Sequence, residues 1–182
     1  MKRVKESRQS NTLQSASIFQ LLVIGALLVS SLDTGSCSAE LLVPPCPPPH
    51  LDTKDWRKIG AMRFTFLLPP DFREVAVQPI DSYARQFQSR DSTTVFGIDM
   101  GSFSNPLTDN DGRQTEWCSE RIGGRMARII SSTAGDRRMK YMAAAAWRDV
   151  TPNTHLTMWG STKSRRGVKT LLAILRTVRF AE

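Results

Sequence analysis

An apolar run of fifteen residues, Ile18 through Leu32, broken only by Gln20 and serines, most constrains what this chain can fold into. It follows a basic start (Lys2, Arg3, Lys5 and Arg8) and precedes small residues from Gly35 to Ala39. Basic start, short apolar core and small-residue exit is the order of a secretory leader. A membrane-spanning helix needs roughly 20 apolar residues, and this run is shorter. A buried helix would not be bracketed by a basic start and a proline-rich stretch. Residues 1–39 are therefore read as a signal peptide, and the chain as periplasmic or extracellular. The fold must then be built from residue 40 onward, and a chain of 182 residues has room there for one ordinary domain.

Two exits from the leader are open. Cys37, Ser38 and Ala39 put small residues where a signal peptidase cuts, and cleavage after Ala39 is favoured. Thr34-Gly35-Ser36-Cys37 instead resembles the motif that attaches lipid to a cysteine. It carries Thr34 where leucine is usual and Asp33 just before it. In that reading Cys37 is lipidated and anchors the protein to a membrane. Cys37 leaves the thiol inventory either way. Cys46 and Cys118 remain, in an oxidising compartment, and an even pair there is expected to form a disulfide. The competing reading makes Cys118 a catalytic thiol served by His155, without any motif to orient the two.

The net charge of +8 is unevenly spread. Residues 119–182 hold thirteen bases and four acids, whereas residues 40–118 hold eight bases and eleven acids. The densest clusters are Arg137, Arg138 and Lys140, then Lys163, Arg165, Arg166 and Lys169. They suit an anionic partner such as a membrane surface or glycolipid. A solvated basic surface is the plain alternative. Export and the lack of any nucleic-acid-binding motif argue against nucleic acid.

Along the mature chain, Val43–His50 is rich in proline, which lacks an amide donor and favours extended chain. Residues 40–60 therefore read as a linker, with a short helical turn at Asp52–Ile59 anchored by Trp56. Strands are expected at Arg63–Leu68, Phe72–Val77, Ser82–Gln88 and Thr93–Met100, the last two as a hairpin. Gly101–Arg113 reads as a loop. Its Asp109-Asn110-Asp111-Gly112 fails the calcium-loop template, with Leu107 at position 1 and Cys118 at position 12, so it reads as turn chemistry. Further strands are expected at Gly124–Ser131, Met139–Val150 and His155–Gly160. The four alanines 143–146 favour helix by propensity, but the aromatic flanks and bounding turns favour a strand. Val168, Leu171, Leu172 and Leu175 then form one helical stripe, with Ser161, Thr162 and Ser164 as candidate caps. Thr177–Phe180 closes the chain as a strand. The expected architecture is one α+β domain over 61–182, an antiparallel sheet of about six strands with a C-terminal amphipathic helix packed on it.

Phe64–Pro70 followed by Asp71-Phe72 resembles the "strand, proline, large aromatic" opening of small exported bacterial domains. Asp81-Ser82-Tyr83, Ile98–Gly101 and Ser104-Asn105 are similar to a pairing in uncharacterised exported and lipid-anchored proteins, where an aromatic often stands in place of Met100. Gly123–Ala127, the amphipathic helix and Thr177–Phe180 resemble the C-terminal half of PsbP-like domains. The resemblance covers roughly residues 60–181. It implies a PsbP-like sandwich, in a group whose members serve as assembly or accessory factors or have no assigned role. It implies no chemistry.

Function classes can be ordered on this basis. The chain has two histidines, and no phosphate loop or nucleophile elbow. A non-enzymatic accessory or binding module of the envelope is favoured, with no cofactor and no metal. A binder of an anionic membrane surface or glycolipid through the basic C-terminal third is a separate alternative, and the partner would be such a surface or another envelope protein. A hydrolase would have to gather Asp81, Ser82, Asp99 and His155 by fold geometry alone.

Overall fold

The computed structural model describes residues 51–108, 115–133 and 138–181. The leader with Cys37, the proline-rich stretch with Cys46, the Asp109–Gly112 turn and Arg137 lie outside the described residues.

The described residues form ten strands and one helix, arranged as two sheets rather than one sheet of about six strands. The small sheet is antiparallel and contains β1 (Arg57–Ala61), β2 (Phe64–Leu68) and β10 (Arg179–Phe180), in that spatial order. The large sheet contains β3 (Phe72–Val75), β4 (Tyr83–Ser89), β5 (Thr94–Gly101), β6 (Thr115–Ile122), β7 (Arg125–Thr133), β8 (Tyr141–Thr151) and β9 (Thr154–Thr162). Its order is β3-β4-β5-β9-β8-β7-β6. The helix α1 spans Arg165–Arg176.

Two strands have no counterpart in the sequence reading. β1 lies mostly inside the segment read as linker. The helical turn expected at Asp52–Ile59 is a single turn, closed by the Trp56 N–H on the Thr53 carbonyl at 3.1 Å, and the chain is extended from Arg57. β6 is an edge strand with polar residues on both faces. Its inward Glu120 is neutralised by Arg176 of α1 at 2.9 Å, which is how an acid can occupy a core-facing position.

The core explains the layers. Phe64, Phe66 and Leu68 alternate inward along β2, as the period of two requires. Phe66 meets Phe87 of β4 at 5.9 Å and Phe96 of β5 at 5.8 Å between ring centroids. The small sheet therefore covers the β4–β5 part of one face of the large sheet. α1 covers the β8–β9 part of the same face. Each fully buried aromatic or aliphatic side chain stabilises by about 1.5–3 kcal/mol relative to exposure.

The alanine run lies in β8, against its helical propensity. Ala143 and Ala145 face the core, while Ala144 and Ala146 lie on the opposite face beneath Leu107. A central strand flanked on both sides by paired strands satisfies its backbone groups, and that tertiary gain outweighs a propensity worth tenths of a kcal/mol per residue. Small side chains also leave room for α1. The clearest case is Gly160 of β9, where an added Cβ would stand 2.2 Å from Cδ2 of Leu171. At the β6–β7 hairpin, Gly123 and Gly124 have φ of +59° and +83°, which a tight two-residue turn of this kind demands.

Arg85 ties the two sheets together. Its Nε and Nη2 donate to the two carboxylate oxygens of Glu74, both at 2.7 Å, and its Nη1 donates to the Gly60 carbonyl at 2.7 Å. The Arg85 hydrogen bond holds the Glu74 carboxyl below its ordinary value. A depressed folded-state pKa contributes stability above the ordinary carboxylate range and loses it as pH falls through the depressed value. Glu74→Gln should therefore flatten the acid limb of the stability profile. With the Glu74 side chain 49% exposed, screening keeps the effect below about 1 kcal/mol. Urea unfolding at a series of acidic pH values checks it, and unchanged acid limbs would remove this bridge from the account.

Candidate functional site

Strand register brings the two basic clusters of the C-terminal third to one end of the large sheet. Tyr141 opens β8 directly opposite Thr162, which closes β9. Lys140 and Lys163 therefore leave adjacent strands at the same end. Thr162 also faces Thr94 at the start of β5, and their hydroxyls meet at 3.0 Å in the interior. The Lys163 N–H continues this edge by donating to the Thr93 carbonyl at 3.1 Å.

The chain then turns directly into α1. Ser164 is the N-cap, its side chain accepting from the Gly167 N–H at 3.1 Å. Of the three candidate caps it is the one used. Arg165, Arg166 and Lys169 are exposed, and the first turn of the helix has no acid. The helix dipole disfavours cations there by a few tenths of a kcal/mol each. The capped N-terminus thus carries cations where acids would favour stability.

Arg138 and Lys140 are exposed beside this edge, with the Lys140 ammonium 5.5 Å from the centre of the Tyr141 ring. Arg138, Lys140 and Arg165 have further partners of their own. Six of the seven cations named from the sequence are described, and all six gather at this end. The sequence reading missed Arg90. It is exposed in the β4–β5 turn, and its N–H donates to the Asp71 carbonyl at 2.9 Å. Its only sequence signal was its place between the two strands of the expected hairpin.

Asp91 lies at the same end but is tied to its own turn. Its carboxylate accepts from the Ser89 hydroxyl at 2.7 Å and from the Thr93 N–H at 3.0 Å. The Ser89 hydrogen bond, then those from Thr93, hold its pKa below the ordinary value. A cavity of about 470 Å³ opens beside it, with Trp56, Phe72, Asp71, Asp91 and Arg166 in its walls.

Of the alternative catalytic residues, Ser82, Asp99 and His155 lie on one face at one end of the large sheet, with Ser82 beside Gly101 and His155 opposite it. Asp81 and Ser82 precede β4, Asp99 lies within β5, and His155 lies near the start of β9. No hydrogen bond joins any two of the four among the described residues. The His155 ring accepts through Nδ1 from the Asp149 backbone N–H at 3.3 Å, which is a turn-stabilising role. Asp99 keeps one carboxylate oxygen enclosed without a hydrogen-bond partner. Cys118 packs toward the core from β6 and is not without a partner. His155 is on the other face of the sheet, three strands away in the order β9-β8-β7-β6. The pair cannot act together.

Fold and site together define a class: a small α+β domain with a helix and a short sheet laid on one face of an antiparallel sheet, and a basic end where that helix begins. No protein-family model matches the chain. No curated protein matches it either. Among solved structures it is similar to the solution structure of cyanobacterial PsbP (CyanoP) from Synechocystis sp. PCC 6803. The sequences are 18% identical, 72% of this chain and 90% of that chain are covered, and the TM-score is 0.47. That likeness is one of outline.

Proposed function

We propose that this chain is an exported, non-enzymatic binding module of the cell envelope that docks on an anionic surface through its basic end. The observation that carries the reading is the Tyr141–Thr162 register, which merges two clusters well separated in sequence into one surface. Each Lys or Arg held near an anionic membrane surface contributes about 1 kcal/mol. The contribution falls with salt, because the Debye length shrinks from about 10 Å at 0.1 M to 3 Å at 1 M. The exported protein should cosediment with vesicles containing anionic lipid in dilute buffer, and release at high salt. In the form cleaved after Ala39, it should ignore purely zwitterionic vesicles under both conditions. No sedimentation with anionic vesicles in dilute buffer would sink the proposal.

The leader supports export. Cleavage after Ala39 would free the domain, whereas lipid on Cys37 would tether it to the surface that the basic end prefers. In either form the reading pairs Cys46 with Cys118. Such a bridge would contribute roughly 3–4 kcal/mol in a loop-closure treatment. Thiol titration of the unfolded exported chain should find no reactive thiol before reduction and two after it, if Cys37 has been removed or acylated. Two thiols before reduction would exclude the bridge. Labelled palmitate should enter the protein only if Cys37 is the anchor, and should be lost in Cys37→Ala.

A further inference from the structure

At the opposite end of α1 from the basic surface lies a second cavity, of about 460 Å³, over the outer face of the small sheet. Its walls include Lys58, Thr65, Leu67, Ala173 and Arg179, and no carboxylate among the described residues. We propose that it binds a single-headed anionic amphiphile through a phosphate group. This site is distinct from the basic end and does not depend on it.

The register places the donors. Lys58 of β1 stands opposite Leu67 of β2, and Arg179 of β10 stands opposite Thr65 of β2. Opposed residues of an antiparallel pair share a face. Lys58 and Arg179 therefore flank the β2 row from its two sides, with the Thr65 hydroxyl between them. On the same face, a Cβ added at Gly60 would meet nothing within 4 Å, so the space above the row is open.

The charges there are available. Among the described residues Lys58 has no ion-pair partner. Arg179 is held in place by Nη1, which donates to the carbonyls of Val178 at 2.8 Å and Arg176 at 3.2 Å. Its Nη2 and Nε make no hydrogen bond among the described residues. Arg176 also lines the cavity, but its charge is matched by Glu120.

A helix C-terminus would ordinarily repel an anion. Here two of the last four carbonyls, those of Ile174 and Arg176, already accept hydrogen bonds. That of Ile174 accepts from the Thr177 N–H and hydroxyl, that of Leu172 from Arg176, and that of Arg176 from Arg179. Donors approaching from a lysine, a threonine and a guanidinium fork suit the three terminal oxygens of a phosphate better than the two of a carboxylate. Leu67 and Ala173 supply an apolar wall for the attached chain. The volume is within the range of small-molecule sites.

The probe is dodecyl phosphate below its micelle concentration, titrated calorimetrically into the exported protein. We expect saturable one-to-one binding. Lys58→Gln and Arg179→Gln should each weaken it about tenfold, the value of one charge-assisted contact of roughly 1.4 kcal/mol. Lys163→Gln should leave it unchanged. Competition by inorganic phosphate would support recognition of a free phosphate group, and failure to compete would support a lipid headgroup with its chain. Binding unaffected by both Lys58→Gln and Arg179→Gln, equal binding of dodecyltrimethylammonium, or no saturable binding would each overturn the site. Lys58 is exposed, and its ammonium holds no other element in place among the described residues. Its variant therefore keeps the test sound should Arg179→Gln disturb β10.

Discussion

Trp147→Ala is expected to destabilise the domain by about 3–5 kcal/mol, the range for removing a buried large aromatic. Trp147 lies in β8 with its side chain fully enclosed. Its ring meets Phe180 of β10 edge to face at 5.9 Å, and Phe180 in turn lies 6.1 Å from Phe64 of β2. The indole therefore joins the large sheet to the closing strand of the small one. Deleting it removes apolar contact with both, and neighbours held by two sheets can collapse only partly into the space. A domain of this size should lose about 12–20 °C in its unfolding midpoint, at about 4 °C per kcal/mol. Denaturant unfolding of the variant checks it. A cost below about 1 kcal/mol, less than a buried aromatic normally carries, would mean that the two sheets do not share one core.

The second large effect is at Gly160. Gly160→Val puts a branched side chain where a Cβ alone would stand 2.2 Å and 2.9 Å from the two terminal carbons of Leu171, and 3.0 Å from the Val95 carbonyl oxygen. Leu171 is fully buried, and the Val95 oxygen is backbone. Neither can withdraw cheaply, so α1 must lift from β9. Overpacking costs typically about 1–3 kcal/mol, and the upper end applies here because backbone and helix are both displaced. Leu171→Ala alone should cost about 2–5 kcal/mol. In the double variant the two changes share one space, so their costs should fall short of the sum by at least about 0.5 kcal/mol. Strict additivity would contradict the close approach of helix and strand.

These two sites show how much of the fold was legible. The hairpin β4–β5, the helical stripe at Val168–Leu175 and β8 through its alanines could be read from periodicity and turn residues. β6 could not, because Thr115–Ile122 alternates polar residues on both faces and its inward acid makes sense only once Arg176 is in place. β1 was hidden by the preceding prolines, and its place depends on pairing with β2. The closure of the small sheet by the last two strand residues, Arg179 and Phe180, is likewise a long-range event. Of the basic end, the cations were visible as two clusters. Their meeting was not, because it depends on a register between β8 and β9 that no local pattern specifies. Arg90 joined them for the same reason. The cavity beside Lys58 and Arg179 is built from the start and the end of the domain, so nothing in either stretch announces it.

On the proposed reading, the position of the cations, and not net charge alone, drives binding. Two triple variants with the same net charge separate the two. One replaces Lys163, Arg165 and Arg166 with glutamine. The other replaces Arg63, Arg121 and Arg148, which are exposed and lie away from the basic end. Affinity for anionic vesicles at 0.1 M salt, where the Debye length is about 10 Å, is the measurement. Three surface cations at about 1 kcal/mol each predict a loss of roughly a hundredfold for the first variant. The second should stay within about threefold of the parent, since charges turned away from the surface are screened beyond a Debye length. Equal losses in the two variants would contradict the account.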